Sequence, residues 1–200
     1  LINSLNSLNY RICLATHSST PQDIIDRCDY YLYDEQNPLL YDNDIKYFTY
    51  QNISTLKFSY KDYLLPSTHG LSLWRMYSGA LTYLKSLGEE IVHMIEYDTI
   101  VKNKDIFEAN TSLLKSLDIG AVLYSLPRFY EKNKLICNWP FQSINVSKIP
   151  FNLLEYNFNT LKNQYKKYFT SKKFPVIERM FFDNIWKNID YTIIKINSKP

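Results

Sequence analysis

Apolar and polar positions along the chain follow two rhythms in alternation, and that alternation predicts an α/β fold. The run Arg11-Ile12-Cys13-Leu14-Ala15 reads as a buried first strand, and Thr20-Pro21 after it reads as a helix start, with Thr20 as the cap and proline in the first turn. Tyr30-Tyr31-Leu32-Tyr33 reads as a second strand that ends at Asp34, and Asn37-Pro38 breaks the chain behind it. Residues 45–50 form a candidate third strand within a tyrosine-rich stretch. Residues 73–87 then repeat at helical spacing up to Gly88, and Ile91-Val92-His93-Met94-Ile95 follows as the most strand-like apolar run in the chain.

A helix over residues 104–117 leads through Gly120 into a strand over residues 121–124. Five strands alternating with helical segments predict a mainly parallel sheet, covered on both faces and joined by right-handed crossovers. Residues 127–150 are irregular and aromatic around Trp139-Pro140-Phe141, which predicts a loop or small hairpin over the cleft. Leu154, Phe158, Leu161, Tyr165 and Tyr168 recur at helical spacing, with Lys162, Lys166 and Lys167 on other faces, so an amphipathic helix is expected there and another over residues 176–187.

At 200 residues, 46% of them hydrophobic and 16% aromatic, the chain fits one compact domain and not a disordered segment. No apolar run reaches the roughly 18 residues of a membrane span, so a soluble, cytoplasmic protein is expected, its three cysteines kept as reduced, buried thiols. Charge is unevenly spread. Residues 1–100 hold seven Lys and Arg against twelve Asp and Glu, whereas residues 101–200 hold sixteen against eight. The basic second half suits an anionic surface, so peripheral contact with a membrane bearing a lipid-linked acceptor is an added expectation. A solvated lysine face is the competing reading. No nucleic-acid partner is expected.

Candidate chemistry gathers at the ends of the strands. Glu96 and Asp98 close the run 91–95 one residue apart, and in extended chain alternate side chains share a face. Two carboxylates at a strand's carboxyl end suit Mg²⁺ or Mn²⁺, with a substrate diphosphate completing the shell. A solvated strand end is the plain alternative. Thr16 and His17 follow the first strand and Asp34 the second, so polar groups are expected to converge on one edge of the sheet. The four glycines, Gly70, Gly79, Gly88 and Gly120, make neither a dinucleotide fingerprint nor a phosphate loop, which argues against redox Rossmann and P-loop enzymes. His93, within the apolar run, reads as a hydrogen-bonded core histidine.

THSSTP after the first strand, YYLYDEQNP at the second, a helix carrying Arg75 and then GEEIVHMIEYD together resemble nucleotide-sugar-dependent glycosyltransferases of the GT-A type, over about residues 9–125. The resemblance implies a donor-binding half followed by an acceptor-side half over about residues 126–200. It implies that Asp98 binds a divalent metal bridging the donor diphosphate, with Glu96 assisting or touching the ribose. It also implies that Thr16, His17 and Asp34 hold the base and that Arg75 lies near the diphosphate. Transfer with inversion would need a general base, for which Glu178, at the start of the helix predicted over residues 176–187, is the candidate. A first-turn glutamate that serves only the helix dipole is the competing reading. The expected activity is sugar transfer from a nucleoside-diphosphate donor to a hydroxyl acceptor, in glycan or surface polysaccharide synthesis. The motif opens with Glu where the family has Asp, and no His follows Asp98, which keeps a non-catalytic carbohydrate-binding or scaffold protein as an alternative. A sugar nucleotidyltransferase is a further one, although THSSTP lacks the glycine-rich basic loop expected of it.

Overall fold

A computed structural model of the chain describes residues 8–16, 19–34, 67–96, 99, 101–125, 138–155 and 176–195, with positions 5, 157, 160, 161, 163, 164 and 167 besides. Strands β1 (Cys13–Thr16) and β2 (Tyr30–Tyr33) flank the short helix α1 (Gln22–Ile25) and pair in parallel. Strand β3 (Ile91–Ile95), helix α3 (Asp105–Ser116) and strand β4 (Ala121–Ser125) follow close to the expected bounds, and helix α2 (Ser67–Ser86), ahead of them, begins six residues before the expected 73. Strand β5 (Asn138–Asn145), helix α4 (Phe151–Leu154), helix α5 (Val176–Asn184) and strand β6 (Tyr191–Lys195) complete the described elements.

Strands β3, β5, β4 and β6 form one four-stranded sheet in that order. Pairs β3·β5 and β5·β4 are antiparallel and β4·β6 is parallel, so the sheet is mixed, and the expectation of a mainly parallel sheet is corrected. The reason lies in residues 138–145, read from the sequence as loop or hairpin, which return beside β4 and insert between it and β3. Only β5 runs against the others; β3, β4 and β6 share one direction. The candidate strand at 45–50 lies outside the described residues, as does most of the helix expected at 154–168, of which Leu161 is helical and buried in the core.

Helices cover both faces of this sheet. On one, Trp74, Tyr77 and Leu81 of α2, Met180 and Phe181 of α5 and Ile185 just after it pack on Ala121, Leu123 and Ile144. On the other, Leu114 of α3 packs on Val122 and Tyr124, with Phe141 alongside. The alternation within β4 sends neighbouring side chains to the two cores, which is why residues 121–124 read as one unbroken apolar run. The β1–β2 pair shares no backbone pairing with this sheet among the described residues. Side chains hold it there: Arg11 and the Tyr30 phenol both bond the Glu89 carboxylate just ahead of β3, so the amino ends of β1, β2 and β3 meet.

Helices α2 and α3 both end in a left-handed residue that turns the chain into the next strand. Gly88 takes that position after α2 with φ of 80°, and Asp118 takes it after α3 with φ of 51°. In each case the following amide reaches back five residues, Glu89 to Leu84 and Ile119 to Leu114. Asp118 carries a Cβ that this conformation disfavours, and its ion pair with Lys148 is largely solvated, with Asp118 81% exposed. Asp118→Gly is therefore expected to raise stability by about 0.5–1 kcal/mol in urea unfolding. A loss of stability would show that the Lys148 contact outweighs the backbone strain.

Candidate functional site

A cleft of about 950 Å³ opens where β1 and β2 end beside α2. Ala15 and Thr16 reach it from β1, Leu32, Tyr33 and Asp34 from β2, and Arg75, Ser78, Gly79 and Tyr83 from α2. Each of these elements forms for a reason visible in its residues. The β1 run is short and apolar, the β2 run is aromatic and pairs with it in register, and α2 spans Ser67–Ser86 and turns its apolar Trp74, Tyr77 and Leu81 to the core. What α2 leaves for the cleft is a stripe of Arg75, Gly79, Thr82, Tyr83 and Ser86, spaced as a helix face requires. Asp34 closes the edge of β2 by donating its amide to the Thr16 carbonyl at 2.9 Å, which fixes the two strand ends side by side.

Arg75 and Asp34 form a bidentate ion pair at the mouth of this cleft. The guanidinium donates from Nε to Oδ2 at 2.6 Å and from Nη2 to Oδ1 at 2.9 Å. Both side chains are about a quarter to a third exposed, so the pair is partly solvated and the guanidinium plane is oriented, not sealed away. Each Asp34 oxygen has a second acceptor position beyond the one Arg75 occupies. Planar, oriented charge with acceptors beside it suits a ligand that carries both phosphate and ring N–H or hydroxyl groups. Tyr33 and Tyr83, both substantially exposed, add aromatic surface to the same cleft.

Of the residues singled out from the sequence, Thr16, Asp34 and Arg75 come together here. Glu96 does not: it follows β3, its carbonyl accepts from Thr99 at 3.0 Å in a turn, and it is not among the described residues that line the cleft. His17 and Asp98 lie outside the described residues. Glu178 stands in the first turn of α5, and its side chain is outside the description as well. Among the described residues no group of three or more His, Cys, Asp or Glu side chains is gathered as a metal site requires. Glu96 alone of the expected metal pair lies among the described residues, and the chemistry derived from the cleft rests on Arg75 and Asp34.

Comparison with known proteins gives no matching family model, no similar curated protein and no similar solved structure. The site thus stands on its own geometry. Residues that sequence reasoning passed over are Tyr33, Ser78, Gly79, Tyr83 and Glu155, all of which line the cleft. Their signal was legible in part. A helix face reading Arg, Gly, Thr-Tyr and Ser at i, i+4, i+7/8 and i+11 is too polar and too small for core and marks a lined surface. Among the described residues, no helix is long and apolar enough to cross a membrane. Cys13 and Cys28 are free and half-buried, not fully buried as expected, and burial still raises the Cys13 thiol to about 11 and raises Cys28, which makes both poor nucleophiles.

Proposed function

We propose that the chain is a nucleotide-sugar-dependent glycosyltransferase of the GT-A type, with the cleft between β1, β2 and α2 as its donor site. The single observation that carries this reading is the convergence of Thr16, Asp34 and Arg75, expected from separate stretches of sequence, on one cleft at the carboxyl ends of two parallel strands. In this reading Arg75 offsets charge on the donor diphosphate, and Asp34 both orients Arg75 and accepts from the base or ribose. Tyr33 offers a ring face. The departing diphosphate gains charge as the glycosidic bond breaks, and a guanidinium already oriented by Asp34 meets that charge without reorganising. Glu178 remains the proposed base for the acceptor hydroxyl, and the acceptor remains a glycan or lipid-linked sugar. A divalent ion at Asp98 and Glu96 belongs to the resemblance and is tested separately below.

The alternative is a carbohydrate-binding or scaffold protein with a degenerate donor pocket and no transferase activity. Release of nucleoside diphosphate from UDP-, GDP- and dTDP-sugars, with and without an added oligosaccharide, separates the two readings. The transferase reading expects turnover of at least one donor by the wild type and its loss in Gly79→Leu. Gly79 is exposed on the cleft face of α2, and a Cβ there meets nothing within 4 Å, so leucine fills cleft space alone. Removing a glycine from a helix interior also favours the helix by about 0.5–1 kcal/mol, so misfolding does not account for a lost activity. Binding without turnover of any donor would support the non-catalytic reading.

A further inference from the structure

Between β3, α3 and the segment ahead of β1 lies a chain of side chains that the proposed function does not use. The Tyr124 phenol donates to Asn110 Oδ1 at 2.7 Å, and Asn110 Nδ2 donates to Ser143 Oγ at 2.7 Å. Ser143 Oγ is 2.7 Å from His93 Nδ1, and His93 Nε2 is 3.3 Å from Thr111 Oγ1. The Thr111 hydroxyl in turn bonds the Tyr10 phenol, whose own proton goes to Glu108 Oε1 at 2.9 Å. Ser143 is wholly buried and already accepts from Asn110. Its single proton therefore has His93 Nδ1 as its acceptor, which puts the imidazole hydrogen on Nε2, where it donates to Thr111. Every donor then points the same way, from Tyr124 to the surface carboxylate of Glu108.

We propose that this one-way chain makes the joint between α3, β3 and the Tyr10 segment acid-sensitive, with His93 as the group whose protonation breaks it. A proton on Nδ1 turns that nitrogen into a donor facing Ser143, so the Ser143 proton loses its acceptor inside the core. The added charge also sits among rings: Tyr10 at 5.3 Å, Phe107 at 5.1 Å and Phe141 at 6.3 Å from the imidazole centroid. The titratable groups facing the imidazole from its packed neighbours are Glu108 of α3, Tyr10 ahead of β1 and, through Asn110, Tyr124 of β4. Of these, Glu108 favours the imidazolium. Burial acts the other way and prevails, holding His93 at about 4. The sign follows from the unfolded value near 6.5. Above it the joint is intact. Between about pH 6.5 and 4 the open state takes up a proton that the closed state refuses, so opening grows as pH falls, on the order of a hundred-fold over the window.

Ring ¹⁵N spectra of His93 and amide hydrogen exchange at pH 7 and pH 4.5, corrected for intrinsic rates, test this on the intact chain. The expected result at pH 7 is a protonated Nε2 with a bare Nδ1. At pH 4.5 the excess loss of protection should be confined to residues 8–12 and α3 and be absent from α2 and α5, and His93→Gln should remove that excess. Thr111→Val and Thr111→Ser give a second route that leaves His93 in place. Valine interrupts the chain and should loosen residues 8–12 already at pH 7, whereas serine keeps the hydroxyl and should not. An Nδ1–H tautomer, an acid loss unchanged in His93→Gln, or equal behaviour of the two Thr111 variants would overturn the proposal.

Discussion

Replacing Phe181 with alanine is expected to lower the unfolding free energy by about 3–5 kcal/mol, the usual cost of emptying a fully buried aromatic site. Phe181 projects from α5 into the larger core, is wholly buried, and stacks on Trp74 with centroids 4.4 Å apart and meets Tyr77 edge-on at 4.7 Å. Those two partners belong to α2, so the ring packs α5 directly against α2. The neighbouring space has little means of collapsing, because Trp74, Tyr77 and Trp186 around it are themselves buried and Tyr77 packs edge-on against Trp186 at 6.1 Å. Rings anchored on both sides leave a cavity and do not slide into it. Urea unfolding followed by circular dichroism reads the change as a shift of midpoint at constant slope. A loss under about 1 kcal/mol would mean that α5 is not packed on α2 as described.

Removing the Arg75 guanidinium should do little to the fold and much to the cleft. The ion pair with Asp34 is partly solvated, so its loss is expected to cost about 1 kcal/mol of stability or less. Under the proposed function the same change removes the positive charge on which a diphosphate depends, and Arg75→Ala should weaken nucleoside-diphosphate binding by at least about a hundred-fold, or about 2.7 kcal/mol. Arg75→Lys keeps the charge but loses the two-pronged hold on Asp34, so it should recover only part of the affinity. Isothermal titration separates these outcomes. Equal affinity in wild type and Arg75→Ala would remove Arg75 from the site.

Much of the fold was readable because burial leaves a simple trace where an element is apolar throughout or apolar on one face. Strands β2 and β3 and helix α3 fall where their residues predict them, and α2 begins earlier only because its first turns, from Ser67 to Ser72, lack the apolar period. Strand β5 was hidden for a specific reason. Its inward residues include Gln142 and Ser143, which are buried yet polar, and each is satisfied by a partner distant in sequence: Tyr77 at 2.6 Å for Gln142, and Asn110 and His93 for Ser143. A pattern of apolar positions cannot register a strand whose interior side chains are hydrogen-bonded polar groups. The β-branched run Thr192-Ile193-Ile194 in β6 did offer a signal, though five residues are too few for periodicity to separate strand from helix.

The site divides along the same line. That Thr16 and Asp34 share one cleft was legible because strand ends of an α/β sheet converge, whereas Arg75, which lines the same cleft, was expected only from the resemblance. The core role of His93 was legible from its apolar neighbours, and its bonds to Ser143 and Thr111 bear that out. The stripe of Gly79, Thr82, Tyr83 and Ser86 needed the structure, since small and polar residues on a helix look like ordinary solvated surface until a strand edge and α4 stand opposite them. Glu96 and Asp98 were read as a pair that shares a face in extended chain. Strand β3 ends at Ile95, and Asp98 lies outside the described residues.

The claim on which the account rests is that the cleft between β1, β2 and α2 takes a nucleoside diphosphate through Arg75. Thermal melting with UDP, GDP, CDP and dTDP, each with and without Mn²⁺, in wild type, Arg75→Ala and Asp98→Ala, tests it most directly. At a concentration about 100 times the dissociation constant, the right nucleotide should add about 2.7 kcal/mol of stability to the wild type and about 0.4 kcal/mol or less to Arg75→Ala. A further gain in Mn²⁺ that Asp98→Ala abolishes would assign the cation to Asp98. No shift with any nucleotide, or a shift that Arg75→Ala leaves intact, would contradict the account.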